Sequence, residues 1–147
     1  MAVTPDELGS AWDGRRLSGK VRVLVNDELL GELDAGTDMQ FDFPKLIAHA
    51  AKTRPLACGT VLGSGTISNS GHAGGFGCLA ERRAMRSLKG EEPGPWLRFG
   101  DRIRIEMLDG AGKSVFGAIE QAVVQYPVPR RAVDVLRQEG AEGTAEG

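Results

Sequence analysis

One glycine-rich stretch of the sequence contains the polar side chains that could take part in chemistry. It runs from Gly59 to Glu81 and reads GTVLGSGTISNSGHAGGFGCLAE. Hydroxyl groups occupy its middle, an imidazole follows at His72, and the carboxylate of Glu81 closes it after the mostly apolar Cys-Leu-Ala. Glycines between a hydroxyl and a carboxylate could cradle a phosphate, expose a nucleophilic serine or form the floor of a small-molecule site.

The spacing excludes the first two of these possibilities. A phosphate-binding loop needs G-x-G-x-x-G or G-x-x-x-x-G-K-[ST] at the start of a helix. Gly63-Ser64-Gly65 lacks the third glycine, and no Lys-Ser or Lys-Thr pair follows. A serine hydrolase of the G-x-S-x-G type needs a histidine assigned to its serine, and Ser64 has no such partner. The pattern therefore predicts neither a nucleotide site nor a serine nucleophile.

The two histidines do not predict a metal site. His49 lies beside the apolar face of a predicted helix, and we interpret it as structural. His72 lies among glycines, where a solvent-exposed side chain is expected. A two-histidine metal site would need a carboxylate at helical spacing, which is missing. We therefore predict no metal ligand in this chain.

Periodicity and turn signals predict the elements that must position these side chains. Alternating apolar residues on either side of Asn26-Asp27-Glu28 predict a hairpin, and helical spacing predicts two helices with Asp42 and Pro44 at the start of the first. The predicted elements are a short helix starting at Thr4-Pro5-Asp6-Glu7, strands at 21–25 and 29–33, helices at 43–52 and 79–88, and strands at 102–107 and 114–124.

Composition favours a soluble, cytoplasmic protein. Lys and Arg total 18 against 20 Asp and Glu, so the net charge of −2 gives no reason to expect nucleic acid as a partner. The basic cluster, the side chains of Arg82, Arg83, Arg86 and Lys89, is interpreted as a solvated helix face. Two cysteines without a C-x-x-C pattern suggest free thiols, and no apolar stretch approaches the ~20 residues of a membrane helix. Residues 127–147, rich in Gly, Ala and Glu at their end, are predicted to form a flexible tail.

Several segments, in order from residue 2 to 125, resemble the C-terminal half of the fumarylacetoacetate hydrolase family. The most specific feature is GSGTIS followed about 15 residues later by G-x-x-x-E. The matching segments are AVTPDELG, DMQF, LIAHAAKTRPL, GTVLGSGTIS, FGCLAE, FGDRIRIEML and SVFGAIEQAVV.

The resemblance implies a β-rich α+β fold over residues 1–126, a mixed β-roll that is incomplete at its N-terminal side. It also implies a hydrolase that adds water to a β-diketo acid and cleaves a carbon–carbon bond with the help of a divalent cation, Mg²⁺ or Ca²⁺. Related members decarboxylate, hydrate or isomerise keto acids. Glu81 matches the glutamate that orients the family's catalytic histidine, and Thr66 matches the threonine that contacts substrate. The glycines would then let the backbone approach a small polar ligand.

The metal ligands of the family are not recognised in this sequence. The family holds its metal with a Glu-x-Glu pair and a later aspartate, and its histidine and a lysine also lie upstream of the matching region. No Glu-x-Glu is present here. Asn26-Asp27 resembles the context of the ligand aspartate, but we assign it to the tip of the predicted hairpin. Neither histidine occupies the place of the family's histidine in the order of motifs. The chain alone is therefore expected to be catalytically weak or silent.

Two functional interpretations remain open. The chain is either part of an enzyme that acts on a small diketo acid, with a site completed by another polypeptide that carries the metal ligands, or a non-catalytic remnant or binding module that retains the fold. The expected protein partner is a second copy, in a homodimer, or a complementary N-terminal half.

Overall fold

A four-stranded antiparallel sheet is the centre of the fold in the computed structural model, which describes residues 3–127. The strands lie in the order β2-β1-β3-β4, and two α-helices and two short 3-10 helices accompany them in this part of the chain. The predicted tail lies outside the described residues from position 128 onward. The elements are β1 (Lys20–Val25), β2 (Glu28–Asp34), α1 (Phe43–Ala50), α2 (Leu79–Leu88), β3 (Arg102–Leu108) and β4 (Ile119–Ala122), with 3-10 helices at Asp6–Ala11 and Ser70–His72.

The hairpin of β1 and β2 turns on two residues in the left-handed region. Asn26 and Asp27 have φ angles of 52° and 65°, which suits the twist of a two-residue hairpin turn. The side chain of Asn26 donates to Asp101 Oδ1 at 2.9 Å and accepts from the amide of Arg102 at 2.8 Å. The assignment of Asn26-Asp27 to the hairpin tip is confirmed, and the pair ties that tip to the start of β3.

One face of the sheet is apolar. Val21 of β1 lies between Leu33 of β2 and Met107 of β3, and the next apolar pair along the strands is Val23 with Ile105. Leu33 is 1% exposed, and Val23 and Met107 are also buried. This row forms the core because side chains two residues apart on a strand point to the same face.

The opposite face carries cross-strand ion pairs. Arg22 lies between Glu32 and Glu106 in the register, and its guanidinium approaches Glu32 Oε2 at 2.6 Å. Arg104 pairs with Glu120 of β4 across the strands and with Glu106 of its own strand, both at 2.9 Å. Hydrogen bonds from Arg104 and Ser114 hold the pKa of Glu106 below its ordinary value. Opposite charges at paired positions favour this register over a slipped one.

Two predicted elements are longer than the observed ones. The first helix ends at Ala50 instead of Lys52, whereas the second has the predicted limits. The last strand was predicted over 114–124 but spans only Ile119–Ala122. Ser114 joins β3 through a single bridge to Leu108, and Gly117, at φ +82°, interrupts the extended chain between this bridge and the strand. The alternation of apolar residues does not reveal such an interruption.

Helix α1 is capped by Asp42, as predicted, and the structure shows that this aspartate is buried. Asp42 is 2% exposed, and its side chain accepts a hydrogen bond from the amide of Lys45 at 3.1 Å. The same carboxylate accepts hydrogen bonds from Nε of Arg15, at 2.8 Å, and from its Nη2. The backbone carbonyl of Arg15 accepts a hydrogen bond from the amide of Phe43. Burial acts to raise the pKa of Asp42, but the hydrogen bonds from Arg15 and Lys45 outweigh it, so the pKa is lowered.

The charge of Asp42 should therefore contribute to stability at neutral pH and not in acid. Because its folded pKa lies below the unfolded one, this contribution is present above the ordinary aspartate pKa, about 4, and is lost as the pH falls through the folded value. Asp42→Asn keeps a capping acceptor and should remove this part of the acid dependence. Asp42→Ala should also lose the cap and lower Tm by about 5 °C at pH 7.

Thermal denaturation followed by circular dichroism between pH 3 and pH 7 measures both effects. Asp6→Asn, at an exposed aspartate of the first 3-10 helix, is the matched control and should retain the acid dependence. An Asp42→Asn protein that lost stability in acid as steeply as the parent would contradict this role of the ion pair.

Candidate functional site

The carboxylate of Glu81 lies in the first turn of α2. Cys78 is the N-cap of this helix, and its Sγ accepts from the amide of Glu81 at 3.5 Å. A carboxylate in the first turn is favoured by the partial positive charge of the helix N-terminus. The local sequence thus places the charge of Glu81 at the start of the helix, beside the glycine-rich loop.

Three groups approach this carboxylate from the loop side. The hydroxyl of Ser68 donates to Oε1, and the amide of Gly77 donates to Oε2 at 3.3 Å. His72 Nδ1 lies 3.7 Å from Oε1. The side chain of Glu81 is only 21% exposed, and no ion pair with Arg82 or Arg83 forms within residues 3–127. Glu81 is therefore not an ordinary surface carboxylate.

Asn69 fixes the loop relative to the sheet. Its side-chain oxygen accepts from the amide of Asp34 at 2.8 Å, and its amide group donates to the carbonyls of Asp34 and Thr37 at 3.1 and 3.3 Å. One residue later, the amide of Ser70 donates to Asp38 Oδ2 at 2.8 Å. These contacts attach residues 69–70 to the end of β2 and thereby position Thr66 and Ser68.

A cavity of about 560 Å³ lies next to this loop. Its size falls within the range of small-molecule sites. Thr66, Ser68 and His72 are among the residues that line it, together with Asp38 and Gln40 of the preceding segment. Glu81 does not line the cavity and reaches it only through Ser68 and His72. The arrangement can offer hydroxyl groups and one imidazole to a small polar ligand.

Glycines near the site fall into two groups. A Cβ at Gly77 would lie 2.2 Å from the carbonyl oxygen of Ile67, and one at Gly75 would lie 2.5 Å from the carbonyl oxygen of Leu30. No atom lies within 4 Å of such a Cβ at Gly63 or Gly65. The first group is needed for close contact between backbone segments of the protein itself, and only the second group leaves space beside the backbone.

The two histidines differ from their expected settings. His49, expected to have a structural role beside the apolar face of the helix, is exposed in the last turn of α1, where a positive charge would complement the helix C-terminus. His72, expected to be solvent-exposed, is half-buried. The side chain of His72 is 29% exposed and lies beside Glu81. Exposure was expected at His72 because glycines surround it, but its glycine neighbours do not show which distant residues the turn brings beside it.

Sequence reasoning also missed Ser68 and Asn69. Both lie within three residues of Thr66 in the TISNS segment, and this dense run of polar groups was the available signal. The arginines of α2 are not a simple solvated face: Arg83 stacks over the ring of Trp96 at 4.3 Å, and Arg86 Nε lies 3.3 Å from Glu91 Oε2.

The residues around the cavity do not form a ligand set for a divalent cation. Across residues 3–127, no three His, Cys, Asp or Glu side chains lie close enough together to hold a metal ion. Asp38 accepts from an amide, and Glu81 accepts from a hydroxyl and an amide, so both carboxylates near the loop already have partners. Mg²⁺ and Ca²⁺ need several free oxygen ligands at one point.

The geometry describes a small α+β protein with a polar loop site beside a helix N-terminus. The model of the fumarylacetoacetate (FAA) hydrolase C-terminal domain matches residues 1–124, and the chain belongs to that family. The family is generally metal-dependent and typically oligomeric, and its chemistry is of the hydrolase or isomerase type. The chain has no significant match among the curated proteins with which it was compared. None of the helices between residues 3 and 127 has the length and apolar character to cross a bilayer.

Substitution of Gly77 should displace the Thr66 loop without removing any polar side chain. The Cβ of Gly77→Ala would lie 2.2 Å from a backbone oxygen of Ile67 and 2.9 Å from Thr66 Cγ2, so the loop must move. We expect Tm to fall by about 5 °C, and the amides of Asp34 and Ser70, whose hydrogen bonds attach the loop, to exchange faster with solvent.

Gly63→Ala is the matched control because its Cβ meets no atom within 4 Å. Its Tm and its amide exchange should remain those of the parent protein. Equal Tm values and equal exchange in the two variants would show that the contact at Gly77 does not hold the loop.

Proposed function

We propose that this chain forms one wall of the active site of a cytoplasmic hydrolase that cleaves a carbon–carbon bond in a small β-diketo acid. In this proposal Thr66 binds the substrate, and Glu81 acts through an imidazole. The fold would be the C-terminal part of a mixed β-roll. The free state of Cys58 and Cys78 supports a reducing compartment.

The observation that carries the proposal is the position of Thr66 and Glu81 relative to one cavity. Thr66 lines a space of small-molecule size, and Glu81 contacts two other residues that line it, Ser68 and His72. The two residues matched to family roles are thus connected through one loop. If Glu81 were a surface carboxylate unrelated to the site, its contacts with two residues that line the cavity would have no explanation.

Hydrolysis of a diketo acid makes separate demands on its site. Water must lose a proton as its oxygen bonds to the carbonyl carbon, and the departing carbon must leave as an enolate. The hydroxyl of Thr66 can donate a hydrogen bond to a substrate oxygen. The carboxylate of Glu81 can hold a neighbouring imidazole in one orientation and favour its protonated form, as an aspartate does for the histidine of a catalytic triad.

The proposal assigns the divalent cation to another polypeptide. The described residues do not fit such an ion, so Mg²⁺ or Ca²⁺ would be held by groups of a complementary N-terminal half. The alternative is a binding module that retains the fold without the reaction, and the fact that no three-ligand cluster forms within residues 3–127 favours it. A reconstitution experiment distinguishes the two.

The purified chain should bind Mg²⁺ more weakly than millimolar and should not turn over acetylpyruvate, whereas addition of a complementary N-terminal half should produce activity. In the active complex, Glu81→Gln should lower kcat by about 10²-fold and change KM by less than about threefold, because Glu81 does not touch the substrate. Stopped assays of pyruvate release and isothermal titration with Mg²⁺ measure these quantities.

Glu92→Gln, at an exposed carboxylate just beyond α2, is the matched control and should leave kcat unchanged. Turnover by the chain alone with millimolar or tighter Mg²⁺ binding would contradict the assignment of the cation to another polypeptide. An unchanged kcat in Glu81→Gln would remove Glu81 from the mechanism, and a complex that binds acetylpyruvate without turnover would support the binding module.

Exposed apolar groups on and near the edge strand β4 support an oligomer. All four residues of this strand are exposed, and Ile119 is 57% exposed although its type favours burial. Unpaired edge groups and apolar surface of this kind promote pairing with another chain. The proposed partner is a second copy of this chain or the complementary half.

We therefore expect sedimentation velocity to show species heavier than the 15.6 kDa monomer at micromolar concentration. Ile119→Lys should shift the distribution toward monomer because a charge on an edge strand opposes pairing. Val61→Lys, on the glycine-rich loop where Val61 is 92% exposed, should have no such effect. A parent protein that sediments as a single monomer would contradict the expected self-association.

A further inference from the structure

A second cavity, of about 350 Å³, lies between the hairpin tip, the start of α2 and the segment that leads to β3. None of the residues that line it also lines the cavity beside the polar loop. Its lining residues include two arginines, Arg82 and Arg98, and the apolar Leu29, Trp96 and Leu97. The cavity is therefore a separate space, within the size range of small-molecule sites, whose walls offer both positive charge and apolar surface.

The guanidinium of Arg82 forms no ion pair within residues 3–127. Its Nε has no accessible surface and no hydrogen-bond partner among these residues. The other two arginines of α2 are engaged, Arg83 over the ring of Trp96 and Arg86 with Glu91. A partly enclosed cation without a counter-ion is unfavourable. An anion that entered the cavity would therefore gain most from Arg82.

Two carboxylates also border the cavity, but neither neutralises Arg82. Both oxygens of Asp101 already accept hydrogen bonds, Oδ1 from the side chain of Asn26 at 2.9 Å and Oδ2 from the amide of Arg98 at 2.6 Å. Glu28 is exposed at the start of β2 and forms no ion pair in the described part of the chain. The two cations of the cavity are thus left for an anion from outside.

The lining favours an organic carboxylate over other anions. A guanidinium presents its N–H donors in a planar fork that fits the two oxygens of a carboxylate. Leu29 is 60% exposed and Trp96 is 57% exposed, so the cavity also offers apolar surface to the rest of such a ligand. An inorganic anion would leave this surface in water, and a neutral ligand would leave the cations unpaired.

We propose that this cavity binds a small organic acid, with its carboxylate held by Arg82 and Arg98 and its apolar part against Leu29 and Trp96. The binding site is distinct from the one assigned to the diketo acid, because neither Thr66 nor Glu81 lines it. The inference is therefore independent of the proposed function.

Titration of the full chain with benzoate tests this binding site. The indole N–H signals of the two tryptophans are followed in ¹H–¹⁵N correlation spectra, and Trp12→Phe assigns them. The signal of Trp96 should shift to saturation with a dissociation constant of about 1 mM or tighter. Trp12 packs on Phe43 and does not line the cavity, so its signal should stay in place and serve as the internal reference.

Two further probes separate charge from apolar contact. Benzamide has the ring of benzoate without its charge, and inorganic phosphate has charge without a ring. Each should bind at least about tenfold more weakly than benzoate. A Trp96 signal that does not move with benzoate, or that moves equally with benzamide, would overturn the proposal. Phosphate binding as tight as that of benzoate would overturn the assignment to an organic acid.

Charge removal at the two arginines should weaken benzoate binding to different extents. Arg82→Gln should raise the dissociation constant by about tenfold or more, and Arg98→Gln by about threefold because Arg98 is exposed. Lys89→Gln removes an exposed cation at the C-cap of the same helix and is the matched control, with the parent affinity expected.

A parent affinity in Arg82→Gln, or an equal loss in Lys89→Gln, would contradict the assigned role of Arg82. If Arg82→Gln does not fold, Arg98→Gln and the comparison of benzoate with benzamide still decide. The titration needs no turnover, metal or second polypeptide, so its failure is distinct from failure of the proposed function.

Discussion

The segment from Gly74 to Gly77 lies against β2 so closely that side chains would not fit between the two backbones. A Cβ at Gly31 would lie 2.4 Å from the carbonyl oxygen of Phe76, well below any ordinary contact. Two backbone hydrogen bonds link the segment to β2. The amide of Phe76 donates to the carbonyl of Leu30 at 3.0 Å, and the amide of Glu32 donates to the carbonyl of Gly74 at 2.7 Å. Because α2 begins two residues after Gly77, this contact fixes where Glu81 emerges relative to the sheet.

The same contact determines where the polar loop can lie. Because Gly77 has no side chain, the carbonyl of Ile67 can pack against it, and the side chain of Asn69 binds the end of β2. The loop is therefore held from both sides, by backbone packing at one end and by a side-chain amide at the other. Ser68 lies between these two attachments, and Thr66 directly precedes the first, so a small movement of either attachment would change the distance of these hydroxyl groups from Glu81.

Local signals were enough to predict most of the elements but only part of the site. The hairpin tip at Asn26-Asp27 and the capped start of α1 at Asp42 follow from a few neighbouring residues, and both are confirmed. The glycines were expected to approach a ligand, whereas Gly75 and Gly77 approach the protein's own backbone. Such contacts join residues about 10 to 45 positions apart, and no local pattern encodes them. His72 was misjudged for the same reason, since its neighbour Glu81 is brought near by the packing of Phe76 on β2.

The acidic and basic side chains of α2 have different partners, and this separation explains how one short helix can serve both stability and a site. Arg83 stacks on Trp96, and Arg86 pairs with Glu91 just beyond the helix, so these cations are engaged away from the loop. Glu81 consequently has no arginine competing for its oxygens in the described part of the chain. Its charge is available to Ser68, to a backbone amide and to His72. Had Arg82 or Arg83 paired with Glu81, the carboxylate would have been held away from Ser68 and His72, the two residues through which it reaches the cavity.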